Sequence, residues 1–221
     1  MAAVMRESYN EQLDSVRSDL TDMCRMAESA MESATTALLN ADLHLAEETI
    51  GSRDEIDLLA TEWELKAFSV LALQAPVALD LRIMVSGIHI VADLQRMGGL
   101  AIHVAELVRR RHPAHVLPPE AEAVFAEMGR VAVAQARSTR EVLLTRDPEL
   151  AAELKTADEE MDQLHRSLFV LTSAPDWPYG VPAAVDITLL GRFYERFSDH
   201  TVEVAKRVIF LATGEFRSED S

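Results

Sequence analysis

Shifted by 105 positions, residues 23–59 fall on residues 128–164 without a gap. The matches are polar as well as apolar. Met23 meets Met128, Arg25 meets Arg130, Ser33 meets Ser138, Asp42 meets Asp147, Glu48 meets Glu153 and Asp57 meets Asp162. Further along the best shift is 100, and Arg96 meets Arg196, Val104-Ala105 meets Val204-Ala205, and Val108 meets Val208. Helices of similar composition share apolar spacing by chance, but rarely polar identities as well. The chain therefore reads as one unit written twice. The change of offset belongs in a connection, where length changes are best tolerated.

Each copy predicts three helices. Met23, Ala27, Ala30, Ala34, Leu38 and Ala41 recur every three or four residues and form an apolar stripe. Asp42 suits the N-cap of the next helix. That helix is expected over 43–73, with Ile56, Leu59, Trp63, Ala67 and Val70 on one face. Gln74-Ala75-Pro76 stops it, because proline cannot continue the hydrogen-bond ladder. A third helix is expected over 79–111, ending before Pro113. Its Ile88, Ile90, Val91, Leu94, Met97, Leu100 and Ile102 are too many for one stripe, which predicts deep burial or contact with another subunit. The second copy gives helices over 120–145, 148–171 and 183–213, with Asp147-Pro148 as a cap followed by an N1 proline. Pro113, Pro118 and Pro119 mark the boundary between copies, and Pro175, Pro178, Gly180 and Pro182 mark a loop. The predicted fold class is all-α: two tandem, structurally similar three-helix bundles, six helices in all. The first repeat is expected over 1–112, the second over 117–214, and a frayed tail over 215–221.

Composition narrows the function. The formal net charge of −16 opposes nucleic-acid backbones, whose binding rests on Lys and Arg. The one compact basic cluster, Arg109-Arg110-Arg111, is placed to close a helix, where cations complement the dipole. Cys24 is the single cysteine, so no intrachain disulfide and no thiolate zinc site can form. The first residues become charged too soon for a signal peptide. No apolar run reaches the roughly 18 residues a membrane span needs. A cytoplasmic protein without membrane insertion is expected. No Gly-rich phosphate loop, GxSxG elbow, HExxH pair or Cys/His dyad is present, so no enzyme is expected. Met23, Met26 and Met31 read as core filling.

The acidic residues have a pattern of their own. On the last helix Leu190, Phe193, Phe197, Thr201, Val204 and Val208 share a stripe about 60° wide, which places Glu195, Asp199 and Glu203 on the outer side. Like charges four residues apart repel by a few tenths of a kcal/mol. A bound cation would offset that, and so would Arg192 or Arg196. The fifth helix adds Asp158, Glu159, Glu160, Asp162 and His165. Asp162 and His165 make an i, i+3 carboxylate–imidazole pair of the kind found in metal-binding bundles. Such ligands suit iron, manganese or zinc. A solvated acidic face is the alternative.

Several segments together resemble the PhoU family of phosphate-transport accessory and signalling proteins. Arg6-Glu7-Ser8-Tyr9 with Leu13 and Leu20 is similar to the family's opening, and Asp54-Glu55-Ile56-Asp57 to its second-helix signature. Gln74-Ala75-Pro76-Val77-Ala78-Leu79-Asp80-Leu81-Arg82 resembles its QP-x-A-x-DLR segment. Asp93-Leu94-Gln95-Arg96-Met97-Gly98 and Tyr194-Glu195-Arg196-Phe197-Ser198-Asp199-His200 resemble the two copies of its (L/Y)ER-x-(G/S)D motif.

The resemblance implies a cytoplasmic negative regulator of phosphate uptake and of the phosphate-starvation response. Such a regulator is an adaptor between a phosphate ABC transporter (ATPase or permease) and a sensor histidine kinase, and it forms a homodimer. The resemblance also implies metal sites, one per repeat. In the second repeat these would be Glu195 and Asp199, joined by Glu159 and Asp162. In the first repeat Gln95 and Gly99 stand where the motif has carboxylates, which leaves Asp54, Asp57 and Asp93. The cofactor would be iron, zinc or manganese, or none. Arg82 and Arg196 are expected to pair with carboxylates such as Asp80 or Glu195, with contact to a partner protein as the alternative. The competing reading is a metal-binding helical bundle that acts as a metal store or oxidoreductase.

Overall fold

A computed structural model describes the backbone of residues 2–215 and the side chains of residues 15, 16, 18–154 and 158–215. Seven helices follow one another: α1 (Ala2–Asn40), α2 (Leu43–Gly51), α3 (Arg53–Gln74), α4 (Leu79–Arg111), α5 (Pro119–Thr145), α6 (Pro148–Thr172) and α7 (Gly180–Thr213). α1, the α2–α3 pair and α4 pack on one another, and so do α5, α6 and α7. The two sets are joined where α1 lies on α5 and α4 lies on α7. The architecture is the all-α pair of three-helix bundles that the repeat predicts. Of the expected tail, all but Glu215 lies outside the described residues, as do the side chains of the opening Arg6-Glu7-Ser8-Tyr9.

The caps set the helix ends. Asp42 is extended, and its carboxylate accepts from the Leu45 N–H at 3.1 Å, which satisfies one of the open donors of α2. Asp147 does the same for α6 through Glu149 N at 2.8 Å, with Pro148 in the first turn. Ala41 departs from the predicted stripe of α1. It lies just beyond the helix end, with φ at 50°, while Met23, Ala27, Ala30, Ala34 and Leu38 are buried.

The helix expected over 43–73 is two helices, broken at Ser52. Gly51 precedes the break, and the Ser52 hydroxyl donates to the Thr49 carbonyl at 2.7 Å. A serine bonding back to the preceding turn competes with the ladder and bends a helix. α7 begins three residues before its expected start, with Pro182 accommodated in the first turn, where its missing N–H leaves no gap.

α4 is buried on several sides, as its excess of apolar residues predicts. Met84, Ile90, Val91, Leu94, Met97, Ala101 and Val104 are fully buried, and α1, α2, α3 and α7 all lie against it. Arg111 does more than complement the helix dipole. It reaches across to Asp186 of α7, with Nη2 and Nε at 2.6 and 2.7 Å from Oδ2.

Candidate functional site

The acidic residues of the second repeat lie along the seam where α6 meets α7. Expecting Glu195 and Asp199 on an outer face needs correction. α7 packs against α4, α5 and α6, so Ile187, Gly191, Tyr194, Ser198, Val202 and Ala205 are buried beside the predicted stripe. The buried arc is therefore far wider than the stripe, and Glu195 sits at its edge with a side chain only 15% exposed. Arg192, one turn before it, donates from Nη1 to both carboxylate oxygens at 2.6 Å. Arg196 lies 3.6 Å from Asp199 rather than pairing with Glu195. Asp162 is held by Arg166 at 3.1 Å.

Asp158, rather than Glu159, faces this seam. Its carboxylate accepts from the buried Ser198 hydroxyl of α7 at 2.6 Å. Ser198 also lies 2.7 Å from the amide of Gln135 on α5, whose nitrogen is buried without a partner. One hydroxyl hydrogen cannot serve two acceptors. Turning the Gln135 amide so that its nitrogen donates to Ser198 leaves the hydroxyl hydrogen free for Asp158. Glu159 is exposed, one position round the helix. The phase of α6 was readable in the sequence. With buried Leu154, Met161 and Leu168 as reference, Asp158 lies about 40° from Leu154 and Glu159 about 140° from it, at 100° per residue.

The seam is electrostatically strained. Partial burial pushes the Glu195 carboxyl above its usual range, and Asp199 beside it pushes the same way, against the pull of Arg192. Burial likewise raises Asp158, with Asp199 and Asp162 adding to the shift and the Ser198 hydrogen bond opposing it. His165, tilted against the Phe169 ring with centroids 5.0 Å apart, is pushed below the usual histidine range by burial and then by Arg192. Its Nε2 is buried with no hydrogen-bond partner. Among the described residues no three His, Cys, Asp or Glu side chains converge on a point that could hold a metal ion as they stand.

The first repeat is built differently at the matching place. Asp57 accepts from the Gln95 amide at 2.7 Å, Asp93 is 2.9 Å from His200 Nδ1, and Asp54 is exposed and lines no cavity with them. The structure does not bring Asp54, Asp57 and Asp93 together. Between α3, α4 and α7 there is instead an open cleft of about 690 Å³. Arg53, Arg96, Arg196, His103 and His200 line it, and Asp57 is its one carboxylate. The donor set does not fit a cationic metal. Arg82, for its part, pairs with neither Asp80 nor Glu195 among the described residues. Its guanidinium lies against Gly214 at the C-terminal end of α7, where a cation complements the helix dipole. No described helix is long and apolar enough to cross a membrane.

The comparisons with known proteins agree with this architecture. A family model described as the PhoU domain matches twice, over residues 20–108 and 125–208. The phosphate-specific transport system accessory protein PhoU homolog 2 of Mycobacterium tuberculosis is 57% identical over 212 residues, spanning 96% of this chain and 100% of that protein. PhoU homolog 1 of Mycobacterium leprae is 55% identical over 217 residues, spanning 98% of each. The crystal structure of PhoU from Pseudomonas aeruginosa superposes with a TM-score of 0.85 at 25% identity, covering 94% of this chain and 100% of that one. The repeat, the helix order and these matches have one reading: the chain belongs to the PhoU family.

Proposed function

We propose that this chain is a negative regulator of phosphate uptake and of the phosphate-starvation response. It acts without catalysis, as a homodimeric cytoplasmic adaptor between a phosphate ABC transporter and a sensor histidine kinase. Its mycobacterial relatives are named as accessory proteins of a phosphate-specific transport system. The observation that carries the adaptor reading is a pair of exposed apolar clusters at the corresponding turn of each repeat. Along the last turns of α3 and into the α3–α4 turn Leu65, Phe68, Leu73 and Val77 are exposed, Leu73 by 77%. At the α6–α7 loop Phe169, Val170, Tyr179 and Val181 are exposed, Val170 by 76%. Grouped apolar side chains this open mark contact surfaces.

The test is co-purification from cells grown in high phosphate, with Leu73→Asp/Val77→Asp beside the parent chain. The transporter ATPase and the kinase should co-purify with the parent and be lost in the variant, while light scattering gives twice the chain mass for the parent. Recovery of neither partner with the parent chain would overturn the adaptor reading.

The seam of the second repeat favours a second, compatible reading. We propose that Asp158, Asp162, Glu195 and Asp199 hold iron, zinc or manganese once Arg192 and Arg166 swing away. The raised carboxyls and the unpartnered His165 Nε2 are what a bound cation would relieve. Mass spectrometry of protein purified without chelator should find metal that Glu195→Ala/Asp199→Ala loses. Metal retained by that double variant would remove the seam from consideration.

A further inference from the structure

The cleft between the repeats brings several basic side chains of this strongly acidic chain around one open space. Three guanidiniums, of Arg53, Arg96 and Arg196, line it together with the imidazoles of His103 and His200. Four carboxylates stand around these groups, but only Asp57 lines the cleft and none pairs closely with a guanidinium. Glu106 takes His103 at 2.9 Å and leaves Arg53 at 3.7 Å; Asp93 takes His200 at 2.9 Å; Asp199 stands 3.6 Å from Arg196. Arg96 has no ion-pair or hydrogen-bond partner among the described residues, and Asp57 is already engaged by Gln95 at 2.7 Å. Gly99 adds room, since a Cβ built there would meet nothing within 4 Å. The repeat thus replaces two carboxylates, at 95 and 99, with an amide and an opening.

From this geometry we infer that the cleft is a binding site for a phosphate dianion, free or esterified to a small molecule. Guanidiniums present paired donors that match the oxygens of such a group. Walls of low dielectric around clustered cations concentrate anions locally even where the net charge of −16 repels them. A volume of about 690 Å³ also leaves space for an organic portion beyond the phosphate itself. The inference goes beyond the adaptor reading and does not rest on it, because it is tested on the isolated chain.

The experiment is isothermal titration of the full, chelator-treated chain at low ionic strength, with inorganic phosphate in one arm and adenosine monophosphate in the other, and adenosine alone as reference. Saturable binding of at least one phosphate probe is expected. Arg96→Ala should weaken it by about tenfold, the loss of one charge-assisted pair. Gly99→Asp, which restores a carboxylate with room to spare, should abolish it. Arg110→Ala removes a charge from an exposed residue outside the cleft and should leave binding unchanged. Phosphate bound as well as the nucleotide would make the free ion the ligand; tighter binding of the nucleotide would make it an ester. Either result supports the site. It would be overturned if neither probe bound, if adenosine bound as well as its phosphate, or if Arg96→Ala bound as the parent does. The last comparison decides even if Gly99→Asp fails to fold by circular dichroism.

Discussion

Trp63 shows how much a single contact can depend on a missing atom. Its ring is fully buried, and Nε1 donates to the Val16 carbonyl at 2.8 Å, which ties α3 to α1. Gly87 of α4 lies against the ring so closely that an added Cβ would overlap Cζ2 and Cη2. Gly87→Ala is expected to destabilise the fold by about 1–3 kcal/mol, the usual range for overpacking a tight core. A chemical-denaturation curve followed by tryptophan fluorescence checks it, and an unchanged midpoint would mean that the ring moves freely. The sequence showed Trp63 on an apolar face but could not show that Gly87 was its partner, because the pairing crosses two helices. Cys24 is a second case. Its side chain is fully buried, and Sγ donates to the Ala136 carbonyl at 3.4 Å. Burial, with Glu28 beside it, pushes the thiol up to about 12. The thiolate is the reactive form. Native protein at pH 8 should therefore resist alkylation that goes to completion in denaturant, as mass spectrometry of the intact chain would show.

At the scale of the elements, helix limits were legible wherever a side chain enforces them: Asp42, Pro76, Pro113 and Asp147-Pro148. The break at Ser52 was not, because glycine and serine each occur within unbroken helices. The candidate site was half legible. Glu195 and Asp199 followed from the motif, but a narrow stripe on α7 hid the third neighbour that tucks Glu195 into a seam. Among the clustered acids of α6, Asp158 could be told from Glu159 only by the phase of Leu154, Met161 and Leu168. The seam carries a prediction with a definite sign. Glu195 and Asp158 have raised folded values, so each binds a proton more readily folded than unfolded. Their contribution is fully present below the unfolded carboxyl range and is lost as pH rises through the folded values. His165 has the opposite sign. Its folded value is lowered, so its contribution is present above about 6.5 and is lost as pH falls through that lowered value. In chelator, Asp158→Asn and Glu195→Gln should each raise Tm at pH 7, and the gain over the parent should fade as pH drops below the carboxyl range. Both groups are partly exposed and screened, which keeps the gain within about 3 °C. A fall in Tm for both variants at pH 7 would show that Arg192 and Ser198 outweigh the repulsion.

At the scale of the whole molecule, the repeat read from the sequence fits two packed bundles or one elongated body, and the side chains decide for a joined core. One continuous buried cluster takes residues from all seven helices, including Trp63 and Leu94 of the first repeat and Phe125, Tyr194 and Phe197 of the second. Polar ties cross the same boundary. Thr35 donates its single hydroxyl hydrogen to the Met31 carbonyl at 2.8 Å, so the fully buried Tyr194 hydroxyl, also 2.8 Å away, must be the donor to Thr35. Glu28 of α1 faces Arg137 and Arg140 of α5 at 3.2 and 3.1 Å, and Arg111 of α4 holds Asp186 of α7. Separating the repeats would bare the side of α4 that packs on α7 and the side of α1 that packs on α5. It would also strand Tyr194 and Asp186 without partners. Because neither repeat can lose the other without exposing core, the chain should melt as one unit. Scanning calorimetry of the chelator-treated protein should give a single transition whose calorimetric and van't Hoff enthalpies agree. Tyr194→Phe should move that transition down by only a few degrees, the loss of about one hydrogen bond, without splitting it. Two resolved transitions, or a first repeat that folds stably when expressed alone, would show that the shared core contributes little to coupling and that each copy carries its own stability.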